Sequence, residues 1–484
     1  MNFKTISRNT GAALLVSALF MLLSVVVSLL NGRDSAFSPL LISFIITFIV
    51  GIFPFIFVRR APAVTMKEGY MIIVLSWLLS FIVGMLPYAL WGEPFTLANA
   101  WFESVSGYTT TGSSVLDDVE ILPKSLLFWR SSTHFIGGLG VVVFLLLVIP
   151  EASPMRLRLS NMELSSLSRD SYASRSNKVV RIFAWVYLGL VVVSFVSYML
   201  AGMSPFDAIN HAFSVSATGG FSTRTESIGA FHSKLIEGLT MVFMLISSLH
   251  FGLVYFSFVT RSVRPLNNPV VKFYLGCLVF FSLFLALNLR IQGFQQSFGE
   301  SLWDSAFHVL CVATTTGFAT MDNSTWPASA NLVLLFMGTM CACAGSTSGG
   351  IKADRMLILF KSVRLQVRRA ISPSTVAEVR IGKRYLRDEE VAPHIVYIAL
   401  YAFFVVSSQA IAVLMNMDPM EAFGASVASL GNVGPALGSI GTAGSYAAVP
   451  AGAKFLFTVD MFLGRVEIYP VLAVLYMTFS GRRK

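Results

Sequence analysis

Apolar runs of about twenty residues recur from one end of the 484-residue chain to the other, and a helix of ~20 apolar residues is long enough to cross the hydrocarbon core of a bilayer. Of all residues, 55% are hydrophobic and 12% are charged, whereas about a quarter are charged in an ordinary soluble domain. A soluble fold has no means of keeping so much apolar surface away from water. The sequence therefore predicts an all-α polytopic membrane protein.

The apolar runs predict about ten membrane crossings. The first run follows Lys4 and Arg8, as in a signal peptide, but it is longer than the apolar part of a signal peptide and no small-x-small cleavage site follows it. We therefore interpret it as a span. The predicted spans lie near residues 11–31, 38–58, 70–91, 127–149, 181–201, 233–260, 271–290, 331–361, 393–415 and 452–480.

The basic residues indicate which ends of the spans face the cytoplasm. They cluster at the edges of the apolar runs, whereas no Lys or Arg occurs between Arg290 and Lys352 or between Arg387 and Lys454. By the positive-inside rule the basic edges are cytoplasmic and the connections without Lys or Arg face outward. The net charge of +10 is thus explained by topology rather than by nucleic-acid binding, and we expect both termini to be cytoplasmic.

Four of the outward connections share one pattern. Each holds an apolar segment too short to span, followed by glycine and small hydroxyl residues, and each has an Asn, Asp or Glu thirteen residues before a glycine. We expect the polar residue to open a short helix as its N-cap or in its first turn. The aligned pairs, which recur about every hundred residues, are Asn99 with Gly112, Asp207 with Gly220, Asp304 with Gly317, and Glu421 with Gly434.

The segments that end on these glycines are predicted to form a cation-selectivity filter. The carboxyl end of a helix carries partial negative charge, and a glycine-rich loop presents backbone carbonyls without obstruction. Non-helical backbone at membrane depth is tolerated only where it is buried in protein or lines water. One such segment is equally consistent with a plain outer loop, but four in the same register favour a pore. The filter candidates are Thr110, Thr111, Gly112, Thr218, Gly219, Gly220, Thr315, Thr316, Gly317, Asn432, Val433 and Gly434.

Six segments together resemble the Trk/Ktr/HKT potassium transporters, and in particular their TrkH type. They are TTTG at 109–112, GGFST at 219–223, TTGF at 315–318, AGST at 344–347, NVGP at 432–435 and GRVEIY at 464–469. The resemblance covers nearly the whole chain. It implies four covalently linked repeats of span, pore helix and span around one pseudo-symmetric pore in the cell inner membrane, and two additional N-terminal helices.

The domain boundaries follow from that resemblance. We expect an N-terminal two-helix extension at residues 1–66 and four pore repeats at 67–150, 151–264, 265–370 and 371–484. The resemblance also implies a homodimer in which each protomer has its own pore.

A run of small residues from Gly338 to Gly350 interrupts the predicted span 331–361, and such a run does not sustain a straight helix. In the family, the matching stretch is an intramembrane gating loop that obstructs the pore below the third filter segment. This sequence differs in having Cys341, Ala342 and Ser348 where the family more often has glycine. A phosphate-binding loop is not indicated, because the lysine follows Ile351 rather than a glycine. The candidate gating residues are Gly338, Cys341, Cys343, Gly345, Ser346, Thr347, Gly349 and Gly350.

Arg465 stands in the middle of the last apolar run, where an ionisable residue is costly unless it has a partner or faces water. The family places an arginine in the pore near the gating loop. Two roles stay open for it: an electrostatic barrier to ions, or a tie that holds the loop closed. A structural ion pair with Asp460 or Glu467 is the alternative, although Glu467, two positions on, does not share its helix face.

These features favour potassium uptake through a gated, channel-like pore. A symporter that couples potassium to protons or sodium by alternating access is the alternative, since discontinuous helices occur in that class too. Four repeats in register fit a central pore better than two inverted halves. Gly112 also argues against the sodium-transporting branch of the family, in which serine tends to stand at the first filter position. An intramembrane enzyme lacks a supported nucleophile, base or metal constellation.

The potassium ion is the expected ligand, and no covalently bound cofactor is predicted. The hydrophilic stretches are too short to form a nucleotide-binding domain. The resemblance implies a TrkA-type cytoplasmic regulatory ring that binds NAD(H) or adenine nucleotide, so nucleotide is expected on that partner alone. The basic segments Arg156–Arg181 and Lys352–Arg387 offer docking surface for the ring or for anionic membrane lipid.

Overall fold

The computed structural model describes residues 2–58, 65–148, 176–295, 297–374, 377–382, 384–442 and 444–480. Within them the chain is mostly helical, as the apolar runs predict. The helices are α1 (Phe3–Leu30), α2 (Phe37–Phe57), α3 (Met66–Trp91), α4 (Leu97–Tyr108), α5 (Lys124–Val148), α6 (Ser176–Leu200), α7 (Pro205–Ala217), α8 (Lys234–Ser248), α9 (Phe251–Val259), α10 (Pro269–Ile291), α11 (Phe298–Ala313), α12 (Ala328–Thr339), α13 (Ala353–Ile371), α14 (Asp388–Leu414), α15 (Pro419–Gly431), α16 (Ala451–Val466) and α17 (Ile468–Ser480).

Six of the described helices are long and apolar enough to cross a membrane: α1, α2, α3, α6, α10 and α14. They have mean hydropathies between 1.9 and 2.7 over their most apolar windows. Two helix pairs, α8 with α9 and α16 with α17, would bring the number to eight if each pair is one bent span. The two other predicted spans fall on α5 and on α12 with α13.

Within the predicted span 452–480 the chain bends by 107°, between α16 and α17. Glu467 joins the two helices with a φ of 61°. Pro470 follows three residues later, and a proline within a continuous helix would clash with the carbonyl of the residue four positions before it. Pro470 is tolerated because it stands in the first turn of a new helix.

Within the predicted span 233–260 the chain bends as well, for a different reason. α8 and α9 meet at 105°, and His250 begins α9 by accepting a hydrogen bond from the Gly252 backbone N–H at 3.0 Å. The Phe251 N–H donates to Gly345 O at 3.0 Å instead of continuing α8. At the bend, the Phe251 N–H is therefore bonded to the segment that follows α12.

Four helices of 12 to 16 residues, α4, α7, α11 and α15, precede the four predicted filter segments. Asn99, Asp207 and Glu421 lie in the first turns of their helices, as predicted, behind the N-caps Thr96, Ser204 and Asp418. The prediction is wrong for Asp304, because α11 already begins at Phe298 and places Asp304 in its second turn.

The helix is interrupted within the predicted span 331–361: α12 ends at Thr339, and α13 begins at Ala353. The strands β1 (Met340–Cys341) and β2 (Ile351–Lys352) pair in parallel, with Met340 opposite Ile351. They draw the two ends of the loop together. A second small sheet, formed by the antiparallel strands β3 (Val379–Ile381) and β4 (Arg384–Leu386), lies between α13 and α14.

Candidate functional site

The four predicted filter segments meet each other in one closed ring. A Cβ atom built on each filter glycine would collide with a main-chain carbonyl oxygen of the next segment. Gly112 faces the second segment, Gly220 the third, Gly317 the fourth, and Gly434 faces the first again. The carbonyls concerned belong to Gly219, Thr316, Val433 and Thr111 respectively.

The backbone conformation is the same in all four segments. The residue two positions before each glycine has a left-handed φ: 53° at Thr110, 54° at Thr218, 58° at Thr315 and 54° at Asn432. The glycines have φ values of 82°, 81°, 74° and 94° in chain order. Threonine is β-branched and rarely adopts a left-handed φ, at a cost of about 1–3 kcal/mol. Surrounding contacts must therefore impose this geometry on three threonines.

Hydroxyl groups inside the segments supply some of those contacts. The Oγ1 atoms of Thr109 and Thr111 lie 2.8 Å apart, and those of Thr314 and Thr316 lie 2.7 Å apart. The fourth segment differs: the Asn432 side chain donates to Thr111 Oγ1 at 3.0 Å. All five side chains are buried, so these hydrogen bonds are shielded from water and stabilise the conformation of the ring.

A cavity with about 80 Å³ of room for water lies over this ring, and all four filter glycines line it. Side chains of the outer loops tie its rim together. Ser445 Oγ donates to Asp117, and Thr225 Oγ1 donates to Asp118 at 2.8 Å. The bond from Thr225, joined by one from the Glu120 N–H, lowers the pKa of the Asp118 carboxyl below its usual value. The rim therefore carries acidic groups beside an opening to solvent.

The Gly338–Gly350 segment lies against three of the four filter segments. The Gly349 N–H donates to Thr315 Oγ1 at 3.0 Å, and Thr347 Oγ1 donates to Ser216 O at 3.1 Å. A Cβ atom on Gly349 would collide with Asn432. The segment thus contacts the second, third and fourth parts of the ring.

Other members of the segment hold its own shape. Ser346 Oγ donates to Cys343 O at 2.7 Å, and the Cys343 N–H donates to Ser248 O at 3.1 Å. Gly345, with a φ of 78°, lies where a Cβ atom would collide with the His250 ring. Cys341 lies in β1. Gly338 lies next to α15, because a Cβ atom built on Gly431 would meet the Gly338 carbonyl oxygen. Gly350 has a left-handed φ of 62°.

The half-buried Arg465 side chain contacts this segment directly. Its guanidinium donates to Thr347 O at 2.6 Å and to Gly137 O in α5. The two carboxylates that sequence alone offers as its partners are bonded elsewhere: Glu467 to Arg355 at 2.7 Å, and Asp460 to Ser408 Oγ at 2.8 Å. Arg465 therefore connects α5 to the loop.

The sequence did not indicate several buried charged residues that lie beside the loop and the ring. Lys352 is buried and donates from Nζ to Ser348 O and, at 3.2 Å, to Gly349 O, which closes the end of the loop. Glu103 and Arg130 form a buried ion pair at 2.7 Å. Their only sequence signal is that each charge stands inside a short apolar stretch. The predicted docking segment Arg156–Arg181 lies outside the described residues as far as position 175.

Comparison with known proteins gives a consistent result. Residues 38–480 match the TrkH family model, described as a cation transport protein. The chain is 32% identical to the Trk system potassium uptake protein TrkH of Vibrio parahaemolyticus and 32% identical to TrkG of Escherichia coli, covering 99% of this chain in both cases and 99% and 98% of those proteins. The crystal structure of the Vibrio parahaemolyticus protein superposes with a TM-score of 0.89 over 99% of this chain and 100% of that one, at 31% sequence identity.

Proposed function

The chain belongs to the TrkH family of cation transport proteins, and on that basis we propose that it takes up potassium through a channel-like pore whose filter is lined by carbonyl oxygens. The pore is formed by four repeats, each with a pore helix, and two further helices precede them. The protein resides in the cell inner membrane with both termini in the cytoplasm.

The closed ring of four segments is the observation that carries this proposal. An ion that enters a filter loses hydration water and needs oxygens to replace it. The four segments share one backbone conformation, and a carbonyl oxygen of each lies against the glycine of its neighbour. Together they offer such oxygens from four sides. The carboxyl ends of α4, α7, α11 and α15 add partial negative charge at the same place. The filter comprises the twelve residues named from the sequence.

We place the gate at the Gly338–Gly350 loop, with Arg465 as a tie that keeps it closed. The loop contacts three filter segments, and Arg465 bonds it to α5 on the side of the first repeat. A guanidinium beside the ion path also repels cations. Opening therefore requires the loop to leave Arg465 and the filter together.

Opening of the loop is regulated from the cytoplasm by a partner protein. A TrkA-type ring with NAD(H) or adenine nucleotide bound pulls on α13, which begins directly after the loop at Ala353. Such a ring shifts the loop only if its nucleotide binds the two ring states with different affinity. The protein acts as a homodimer surrounded by membrane lipid.

Planar bilayers that contain the purified full-length chain test the transport mechanism. With potassium on one side and sodium on the other, we expect resolved unitary currents whose reversal potential corresponds to a higher permeability for potassium than for sodium. Potassium uptake without unitary currents, and dependent on a proton or sodium gradient, would instead establish alternating access. Equal permeability of the two ions would disprove the filter assignment. Addition of the nucleotide-loaded ring should raise the open fraction, and an unchanged open fraction would disprove regulation by that partner.

A further inference from the structure

One of the largest buried side chains of the described chain lies beside the outer mouth of the filter. Arg130 is only 2% exposed, yet it borders the cavity over the four filter glycines. A guanidinium withdrawn from water is costly unless its charge and its N–H groups are matched. A positive charge at the entrance for cations also needs compensation for the ions to enter.

Glu103 provides that compensation from the middle of α4. Its side chain is fully buried and accepts from Arg130 Nε at 2.7 Å. The same carboxylate accepts from Ser114 Oγ at 3.0 and 3.2 Å and from the Val115 N–H at 3.0 Å. Charge-assisted hydrogen bonds of this kind are stronger than neutral ones. The pore helix is thereby tied to the chain just beyond the first filter glycine.

Arg130 extends the same network to the second filter segment. It donates to Ser114 Oγ at 3.2 Å and to Ser222 O at 3.2 Å. Its guanidinium also lies 3.8 Å from the centre of the Phe221 ring, within cation–π distance. Phe221 directly follows Gly220 in the chain. Two adjacent segments of the ring are therefore held by one buried pair.

The other repeats have a weaker version of this arrangement. Nine residues before each filter glycine stand Glu103, His211, His308 and Ala425, and two residues after it stand Ser114, Ser222, Ala319 and Ala436. In the second repeat His211 Nε2 and Ser222 Oγ lie 2.9 Å apart, matching the contact of Glu103 with Ser114. The third and fourth repeats have no hydroxyl at the second position. The first two segments are thus the more firmly braced half of the ring.

We infer that Glu103 and Arg130 are positioning residues for ion discrimination: they hold the first and second filter segments at the spacing that favours potassium. The inference rests on the proposed potassium pore. The pair does not contact the ion itself, but acts through Ser114, Val115, Phe221 and Ser222. Loss of Glu103 removes bonds to the first segment and leaves Arg130 without its counter-ion, and loss of Arg130 removes the contacts with the second segment.

Three variants separate this positioning role from a purely electrostatic one. Glu103→Gln leaves a positive charge near the mouth and Arg130→Met leaves a negative one, so the single-channel conductance should fall in the first and rise in the second. Both should raise the sodium-to-potassium permeability ratio, by about fivefold, because both remove charge-assisted bonds to the filter segments. The double variant restores neutrality but not the bonds, so its ratio should stay raised.

The measurement is the reversal potential of the full-length chain in bilayers under bi-ionic conditions. Glu237→Gln is the matched control: this buried carboxylate is bonded to Lys234 at 2.9 Å and Trp303 at 2.5 Å, on α8 and α11 rather than on the filter segments. Its permeability ratio should equal that of the wild type. Wild-type protein without potassium preference would refute the proposed function instead of this inference.

Two results would overturn the inference. One is a wild-type permeability ratio in Glu103→Gln, and the other is restoration of the wild-type ratio in the neutral double variant, which would leave only an effect of net charge. If Glu103→Gln is not recovered folded, Ser114→Ala decides, because it keeps the ion pair and the bond from the Val115 N–H and removes the hydroxyl that contacts both Glu103 and Arg130. A raised ratio in Ser114→Ala supports the brace, and an unchanged one refutes it.

Discussion

At the residue scale, each predicted filter glycine combines a left-handed φ with a main-chain carbonyl oxygen of the next segment at the place of a Cβ atom. Gly112 combines a φ of 82° with a carbonyl of the next segment at the place of a Cβ atom. Gly32 has a similar φ of 78°, but nothing in the described part of the chain lies within 4 Å of its Cβ position. A side chain at Gly112 therefore brings both backbone strain and displacement of a neighbouring carbonyl.

We expect Gly112→Ser to reduce discrimination between potassium and sodium by about tenfold, the factor that corresponds to ~1.4 kcal/mol. The displaced Gly219 carbonyl would no longer match the potassium ion. Permeability ratios from reversal potentials measure the change. Gly32→Ser is the control, since it adds the same side chain at the same φ in open space. A wild-type ratio in Gly112→Ser would remove Gly112 from the filter.

Replacing Arg465 by alanine should increase basal cation flux in the absence of any partner. The change removes the bonds to Thr347 O and Gly137 O, which connect the loop to α5. It also removes a charge that repels cations. Ion flux into liposomes that contain the purified variant measures the effect. If flux stays at the wild-type level while the protein becomes less stable, the arginine has only a structural role.

The sequence predicted which four glycines come together in the ring, because their register is preserved through the chain. It gave no means of pairing Glu103 with Arg130, which are 27 residues apart on different helices. It offered Arg465 two nearby carboxylates, whereas the fold supplies backbone carbonyls from distant segments. Contacts set by tertiary packing leave little trace in local spacing.

At the element scale, helices that bend or end near the Gly338–Gly350 loop carry residues that contact it, such as Phe251 and Arg465. The resemblance to the Trk/Ktr/HKT transporters is confirmed, and with it a mostly helical membrane protein. The bend at Glu467 has a local sequence signal in Pro470, which the hydropathy pattern conceals. The bend at His250 has no proline beside it, although Gly252 stands two positions on. It depends on the Gly345 carbonyl, which becomes available only in the folded protein.

One buried ion pair joins two of these breaks. Arg355, in the first turn of α13, bonds to Glu467 at 2.7 Å, with side chains 6% and 11% exposed. The Arg355 guanidinium also lies 3.8 Å from the centre of the Tyr397 ring. The end of the loop and the bend of the last helix pair are thus fixed to each other.

Glu467→Gln should lower the free energy of unfolding by about 3 kcal/mol, because it leaves the Arg355 charge buried without its counter-ion. Denaturant titration in detergent measures this difference. Glu390→Gln is the matched control, since the Arg384–Glu390 pair has the same 2.7 Å separation but is about a third exposed. An exposed pair contributes ~1 kcal/mol or less. Equal losses in the two variants would contradict a special role for the buried pair.

At the scale of the whole molecule, the ring depends on all four segments, because each segment rests on the next and the fourth rests on the first. An ion bound at its centre would contact parts of the chain more than three hundred residues apart, as the bond from Ser113 Oγ to Gly434 O at 3.0 Å already does. Such an ion binds the folded chain and not the unfolded one. Its binding energy therefore adds to the stability of the entire fold.

Potassium should raise the temperature of thermal unfolding relative to sodium at equal ionic strength. At a concentration one hundred times the dissociation constant the stabilisation would be about 2.7 kcal/mol. Scanning calorimetry or fluorescence of the purified chain in each salt measures the shift. Gly112→Ser should reduce the difference between the salts. Identical unfolding temperatures in potassium and sodium would argue against a potassium site in the ring.

The four segments are alike in backbone but not in sequence, and Asn432 stands where the others have threonine. In a tetramer of identical subunits, every mutation would be copied into all four corners of the filter. In this chain, one codon change alters one corner and leaves three intact. Ion preference is therefore open to adjustment in small evolutionary steps, and each corner is free to acquire its own supporting residues.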